Sequence, residues 1–537
     1  MYLLPKSTEP PITCDSVRPL SILPMFRRIF EALVSPVFTD PERAYCKLHP
    51  AQAGFRKGYS TLTQAAICHH ALSTQAVLYA VFLDFKSAYD LTPCDRVMLG
   101  LRRRGMPALL LHLVRSLMFS NGSFRLVVNG TLSHFLPRDR GLPQGSPLSP
   151  ILFDMFIDPL IWELNALGVG SIPPCLFFAD DGLLLCESRS EVVRQLAIAG
   201  RWARLNGMVY GVSKCGVLSL FPTVGEESFY LCDESIPFVD SYKYLGFPVT
   251  KSGIDFARHV DLQVQSTSSF LKFVQVQCSE WSPYARYVIY TTFLRPKLEY
   301  GAPLTVSFGS KDILKPIQKL EDQVIAWIFN CNTNKAKVLY GIIGALSVAD
   351  RFSHLRCGFQ LHLDHSSLSN PIRTLSIFPV DKLYQEFHRS VDGVLSYSRL
   401  KAAMAEFLLS RRSGILGRSK SILVNYIASD SRTPGLVDRV LLSPIRYQRM
   451  LLSWRRGSLF LNQICVCKRR WHRGHIPCLP KGTLSASLQE DFLSSKEKRS
   501  KNFCEVDYLL NVQEWTVAFE WIQLWKRTLD SVKGSTD

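Results

Sequence analysis

The chain has 537 residues, 47% of them hydrophobic and 20% charged, ordinary globular usage that argues against a disordered protein. Its formal net charge of +18 at pH 7 points to a polyanionic partner, most often nucleic acid. No uninterrupted run of about 18 apolar residues occurs, so no membrane span is expected. The opening MYLLPKSTEPP meets prolines before any apolar core, so no secretory signal is expected there.

Residues 1–60 read as irregular, with Pro, Ser and Thr punctuation. Val77 to Phe85 is a near-continuous apolar run with Asp84 close to its end, the pattern of a buried strand. Leu99 to Phe119 has helical spacing after three consecutive arginines. Ser123 to Val128 and Thr131 to Leu136 flank Asn129-Gly130, which predicts two strands about a tight turn. Pro150 to Leu167 is apolar with a helical period, and Glu191 to Asn206 is an amphipathic helix. Between them, Leu176-Phe177-Phe178 and Leu183-Leu184-Leu185 enclose Asp180-Asp181 as a hairpin tip. Tyr242 to Thr250 reads as one strand, and beyond about 255 the pattern is mainly helical. The 15 cysteines, an odd count without a secretion signal, read as reduced thiols of a nuclear or cytosolic protein.

Asp180-Asp181 is the first candidate for chemistry. Ionised neighbours about 4 Å apart repel by about 4 kcal/mol at an effective dielectric near 20. A fold tolerates that when a cation offsets it, and oxygen-only ligands suit Mg²⁺. Alone, the pair could equally be a hydrophilic turn. Asp84 also ends an apolar strand, so acids from two elements could converge at one sheet edge and hold a metal pair, although Asp84 could instead cap a following helix. The Gly- and Pro-rich stretch Arg140 to Pro150 fixes an unusual backbone before a helix, and Gly141 and Gly145 permit close approach of a ligand.

In this order the elements resemble the palm of reverse transcriptases, most closely those of non-LTR (LINE-type) retrotransposons. Leu83-Asp84-Phe85-Lys86-Ser87-Ala88-Tyr89-Asp90 is similar to the family's first palm motif, and Gly141 to Pro150 with Ile151-Leu152-Phe153 to the second. Phe178-Ala179-Asp180-Asp181 has the form of the catalytic tetrad. Asn206 to Lys214 resembles the fourth motif, and Tyr244-Leu245-Gly246 the primer grip. Leu4-Pro5-Lys6, Arg18 to Ile22 and Gln52-Ala53-Gly54-Phe55-Arg56 resemble fingers motifs, and Phe293 to Pro303 the thumb. The resemblance covers about residues 1–350. It implies an α+β, right-hand polymerase: partial fingers at 1–75, a palm with an antiparallel sheet at 76–250, and a helical thumb at 251–350. A mainly helical, basic C-terminal region would follow, as a linker at 351–460, a zinc knuckle at 461–482 and a helical tail at 483–537.

The resemblance also implies roles. Asp84 and Asp180 would be principal ligands of two Mg²⁺ ions, with Asp181 completing the acidic patch. Tyr89 would be a steric gate against a ribose 2′-hydroxyl. Phe85, Gln144 and Gly145 would line the nucleotide pocket, and Lys6 and Arg18 would neutralise the triphosphate. Lys214 would be a proton donor to pyrophosphate. The implied partners are an RNA template, a DNA primer or target and dNTPs, within a ribonucleoprotein of the element RNA, in nucleus or cytoplasm and with no membrane. Cys465, Cys467, His475 and Cys478, with His472 as an alternative fourth ligand, have the composition of a Cys₃His Zn²⁺ site, interleaved with basic residues and Trp471 suited to nucleic acid. The chain opens almost on Leu4-Pro5-Lys6, so the expectation is an N-terminally truncated RNA-directed DNA polymerase. The alternatives are an inactive relic that only binds RNA, and an intron-encoded or cellular reverse transcriptase.

Overall fold

The computed structural model describes residues 2–5 and 17–417 apart from short stretches, the longest of them 222–227 and 334–339. The linker beyond 417, the Cys/His cluster at 465–478 and the helical tail lie outside the described residues, as does Lys6. The described residues divide into two compact units, those of 2–259 with 359–380, and those of 260–358 with 381–417.

The first unit opens with β1 (Tyr2–Pro5) antiparallel to β2 (Val17–Leu20), which sets Arg18 opposite Leu4. Helix α1 (Met25–Thr39) follows where irregular chain was expected. Its apolar residues recur at helical spacing in MFRRIFEALVSPVF, and Pro24 supplies the extended residue that precedes its first turn. Helix α2 (Thr61–Ser73) starts in a capping box: the Ser60 hydroxyl accepts from the Thr63 N–H, and the Thr63 hydroxyl accepts from the Ser60 N–H.

Strand β3 (Tyr79–Leu83) is buried at every position, as its unbroken apolar run predicts. A short turn of helix, α3 (Ala88–Leu91), leads to α4 (Cys94–Arg103) and α5 (Ala108–Val114). The single helical stretch expected over 99–119 is therefore interrupted. Gly105 takes the left-handed conformation (φ +75°), and Pro107, which has no N–H to continue the helix, initiates the next segment. The predicted hairpin over 123–136 forms in two pieces: β4 (Ser123–Phe124) pairs with β7 (Leu136–Pro137), and β5 (Val127–Val128) with β6 (Thr131–Leu132).

Helix α6 (Ser149–Asn165) is buried nearly all round and packs on the hairpin of β8 (Cys175–Phe178) and β9 (Asp181–Cys186). Helix α7 (Arg189–Asn206) is capped by the Ser188 hydroxyl at its start and by left-handed Gly207 at its end. Strand β10 (Gly216–Ser219) completes an antiparallel sheet of order β10-β3-β9-β8. Burial of each large side chain such as Phe82, Phe153 or Phe177 contributes about 1.5–3 kcal/mol. The hairpin of β11 (Phe229–Leu231) and β12 (Glu234–Ile236) follows. Tyr242 to Thr250 is two strands rather than one: β13 (Ser241–Tyr244) turns back into β14 (Phe247–Thr250), which pairs with β15 (Gly253–Ile254). The turn is possible because Leu245 (φ +46°) and Gly246 (φ +85°) are both left-handed. The Tyr242 ring stacks on Phe82 of β3 at 4.2 Å, which fastens this hairpin to the central sheet.

Beyond 255 the described chain is mainly helical, as expected, with α8 (Phe256–Gln277), most of it in the second unit, and α9 (Pro283–Ile289), α10 (Arg295–Glu299), α11 (Ala302–Phe308) and α12 (Lys315–Ile328) within that unit. Further helices span Val348–Asp364, Lys382–Arg389 and Tyr397–Gly417. The fold class is α+β with an antiparallel central sheet, as the sequence predicts. The nine described cysteines are all free thiols. Among the described residues no helix is long and apolar enough to cross a membrane.

Candidate functional site

Asp84 leaves the end of β3 with its backbone tied on both sides. Its carbonyl accepts from the Gly211 N–H at 2.8 Å, and its N–H points at Cys215 Sγ, 3.4 Å away. One residue on, Phe85 is buried and stacks on Tyr210 at 4.4 Å, so its ring belongs to the core. The segment 209–215 is thereby fastened along the exit of β3, which brings Lys214 Nζ to 4.0 Å from Asp84 Oδ2. Both groups are solvent-accessible, and such a pair contributes little by itself.

Asp180 lies in the turn between β8 and β9. The register closes at Phe178↔Asp181, so the tip is Ala179-Asp180; Asp181 is already the first residue of β9, a one-residue shift from the tip expected. Ala179 is left-handed (φ +55°), which lets a two-residue turn join twisted strands. For a residue with a Cβ that conformation costs roughly 1–2 kcal/mol. Strand β3 pairs with β9 up to Leu83↔Gly182, so one further step sets Asp84 beside Asp181.

Burial raises the Asp180 carboxyl above the ordinary carboxylate range, and repulsion from Asp84 adds to it while Arg18 opposes. Asp181 is open to solvent on one side and is pushed up to about 6 by desolvation on the other and by Asp180 and Asp84. The three acids therefore form one field of mutually repelling charge. Among the described residues no group of three or more His, Cys, Asp or Glu side chains stands at metal-holding spacing. Asp84 and Asp180 do line one cavity of about 460 Å³, together with Arg18, Phe55, Phe85, Tyr89, Gln144, Gly145, Ser149 and Lys214. Two carboxylates that repel each other, facing open volume, fit a divalent cation that takes its remaining oxygens from a phosphate substrate.

The Gly/Pro loop lines the same cavity through Pro143, Gln144, Gly145 and Ser146. Gly141 and Gly145 are both left-handed (φ +92° and +118°). A Cβ on Gly145 would lie 2.6 Å from the Ser21 carbonyl, so only glycine permits that approach. There the Ser21 N–H donates to the Gln144 carbonyl at 2.7 Å, coupling the loop to the segment after Arg18. The Gln144 amide donates to both Asp90 oxygens, at 3.0 and 3.1 Å. Tyr89 stacks on Phe153 of α6 at 4.9 Å.

The predicted site residues fall into three groups. Asp84, Asp180, Arg18, Phe85, Tyr89, Gln144, Gly145 and Lys214 converge on the cavity. Asp181 stands beside it, while Tyr244, Leu245 and Gly246 end β13 and turn towards β14, with Tyr244 buried. Lys6, Cys465, Cys467, His475 and Cys478 lie outside the described residues. Sequence reasoning placed Gln52, whose carboxamide grips the Ala179 peptide, in a fingers motif and Ser149 in the Gly/Pro loop without giving either a role of its own, and it did not single out Asp154, which like Ser149 is a buried polar residue of α6. Neither Asp154 oxygen, nor Ser149 Oγ, nor the Tyr89 hydroxyl has a hydrogen-bond partner, and burial raises the Asp154 carboxyl well above its usual range. Asp154 is hidden in a helix that reads as mostly apolar, and its acid among Phe153, Met155 and Phe156 is what signals it.

Residues 4–249 match the model of the family described as reverse transcriptase (RNA-dependent DNA polymerase). The chain is 28% identical over 314 residues to a 115 kDa protein of the type-1 retrotransposable element R1DM of Drosophila melanogaster, covering 54% of this chain and 28% of that protein. It is 26% identical over 269 residues to a Pol polyprotein from the type-1 retrotransposable element R2 of Popillia japonica, covering 47% and 43%. It is 24% identical over 340 residues to the RNA-directed DNA polymerase from the mobile element jockey of Drosophila melanogaster, covering 60% and 37%. The chain thus spans less than half the length of these curated relatives. Among solved structures, telomerase from Candida albicans in complex with a telomeric RNA fragment aligns over 71% of this chain and 56% of that one, with 14% identity and a TM-score of 0.34.

Proposed function

We propose, from the premise that residues 4–249 form a reverse transcriptase domain whose homologues are the RNA-directed DNA polymerases of non-LTR retrotransposons, that this chain extends a DNA primer on an RNA template. The observation that carries this reading is the cavity shared by Asp84 and Asp180 from two strands of one sheet with Arg18, Tyr89 and Gln144. Reverse transcriptases use divalent metal ions. Mg²⁺, held by Asp84 and Asp180, would neutralise charge on the reacting phosphate and lower the pKa of the attacking hydroxyl. The acids of this chain hold that charge at the sheet edge, and Asp181 adds to the field. Arg18 offers the triphosphate a planar fork of donors, and Lys214 stands where a proton could pass to departing pyrophosphate. Tyr89, immobilised on Phe153, presents a flat wall to the sugar edge of a dNTP and favours one without a 2′-hydroxyl. Gln144 keeps the loop wall in place through Asp90. The reaction joins the primer 3′-oxygen to the α-phosphorus of the dNTP and releases pyrophosphate.

In the same reading residues 1–75 are partial fingers, 76–250 the palm, 251–350 a thumb, and the basic region beyond grips RNA through phosphates. Zn²⁺ at Cys465, Cys467, His475 and Cys478, assembly with the element RNA, and residence in nucleus or cytoplasm belong to it as well and rest on sequence alone. The test is extension of oligo(dT) on poly(rA) with dTTP, in Mg²⁺ and in Mn²⁺, beside Asp180→Asn. Extension by the unmodified chain and at least about a 100-fold loss in the variant is expected. Salt-sensitive RNA binding with no extension by either protein would replace the polymerase with a chain that only binds RNA.

A further inference from the structure

Gln52 is fully buried, and its carboxamide is spent on the turn that carries Asp180. Its Oε1 accepts the Ala179 N–H at 2.9 Å and the Gly54 N–H at 2.9 Å, while its Nε2 donates to the Ala179 carbonyl at 3.3 Å. Both polar groups of the residue before Asp180 are therefore held by one planar group. A carboxamide does this at any pH, since it offers an acceptor and a donor side by side without a proton to lose. The backbone around it is laid against β8: the Ala53 N–H donates to the Phe177 carbonyl and the Phe177 N–H to the Ala51 carbonyl, each at 2.9 Å. Gly54 completes the fit, because a Cβ there would lie 2.4 Å from the Ala179 nitrogen.

This clamp opposes two tendencies of the turn. Ala179 is left-handed without being glycine, and Asp180 is repelled by Asp84. Without a clamp, both are relieved if the tip swings away from the β3 edge. We propose that Gln52 is a positioning residue for Asp180: by fixing the Ala179 peptide it sets where that carboxylate stands in the cavity, and hence how tightly the site takes a divalent cation. Its bearing on catalysis rests on the polymerase reading above.

Gln64 is the natural comparator. It is buried in the same neighbourhood and donates to the Ala51 and Phe177 carbonyls at 3.1 and 3.3 Å, but it does not touch the turn. In the full chain, Gln52→Met removes the clamp at similar volume, Gly54→Ala pushes the turn without removing it, and Gln64→Met is the control. Three quantities are read: cooperative thermal unfolding, Mn²⁺ affinity from the free-ion paramagnetic resonance signal without primer, and kcat and KM for dTTP. Gln52→Met and Gly54→Ala are expected to unfold cooperatively, to bind Mn²⁺ about tenfold more weakly, and to lose about 10–100-fold in kcat with KM within about threefold. Gln64→Met is expected to lower the unfolding temperature and leave Mn²⁺ affinity and kcat unchanged. Wild-type Mn²⁺ affinity in Gln52→Met overturns the role. So do equal losses in Gln64→Met, or loss of folding in both turn variants while Gln64→Met folds, either of which would make Gln52 scaffold only. If the unmodified chain binds Mn²⁺ yet extends no primer, the polymerase reading fails while the Mn²⁺ comparison still decides the role of Gln52.

Discussion

Asp154 carries an acid into the middle of α6 with neither oxygen bonded, and burial keeps it protonated above the usual carboxylate range. The linkage has a definite sign. The unfolded chain releases this proton at ordinary acid pH while the folded chain retains it, so the contribution to stability is present at low pH and lost as pH rises, by up to about 1.4 kcal/mol per pH unit. Asp154→Asn needs no proton and keeps the shape. It should therefore gain on the wild type as pH rises from 5 to 8, measured by urea unfolding of the full chain; a constant difference would show that Asp154 ionises freely in the fold. At this scale the sequence was readable where residue type and position coincide, as for Asp84 and Asp180 at strand ends. It placed Gln52 in a fingers motif without a role of its own and was silent on Asp154, because a buried polar group is defined by the partners that the fold brings to it, and those are far away in the chain.

The Gly/Pro loop shows how an element, rather than a side chain, shapes the cavity. Gly145 approaches the Ser21 carbonyl too closely for any Cβ and is left-handed as well. Gly145→Ala should therefore part the loop from the segment bearing Arg18. Steady-state extension should show KM for dTTP raised about tenfold or more with a smaller loss in kcat; an unchanged KM would detach the loop from nucleotide binding. Elements with one clear period were legible: β3 from its apolar run, α6 and α7 from helical spacing, the β8–β9 hairpin from apolar flanks about two acids. Others failed for identifiable reasons. Helix α1 is flanked by Pro24 and contains Pro36, and proline punctuation concealed its amphipathic repeat. The β13–β14 turn needs Leu245 in a left-handed conformation, which a leucine does not announce.

On the scale of the whole molecule, the helical unit has its own pH response. Glu321 of α12 is buried, accepts from the Tyr290 hydroxyl, and is pushed up to about 7 by burial from an ordinary value of 4.5. A raised carboxyl favours the fold below its unfolded value and loses that contribution, up to about 3 kcal/mol, as pH rises through 7. Calorimetry of the full chain should show a transition whose midpoint falls between pH 5 and 8, and Glu321→Gln should flatten it. The net charge of +18 gives a second global expectation. RNA affinity of the full chain should fall with salt on a log–log slope of about −3 or steeper, as four or more phosphates shed counterions; a slope near zero would mean that the surplus charge does not face RNA.

Asp84 and the Asp180–Asp181 corner ride on adjacent strands, β3 and β9, joined rung by rung through their main chains. The interval between Asp84 and Asp181 is thus gauged by amide hydrogen bonds, which every residue type but proline supplies at the same spacing of about 4.8 Å. Apolar side chains along the two strands can be exchanged for others of similar volume without altering that gauge, whereas Asp180, one residue beyond the ladder, also depends on the Gln52 carboxamide. The separation of Asp84 from Asp181 is consequently a property of the backbone, and the residues of the two strands can drift without changing it.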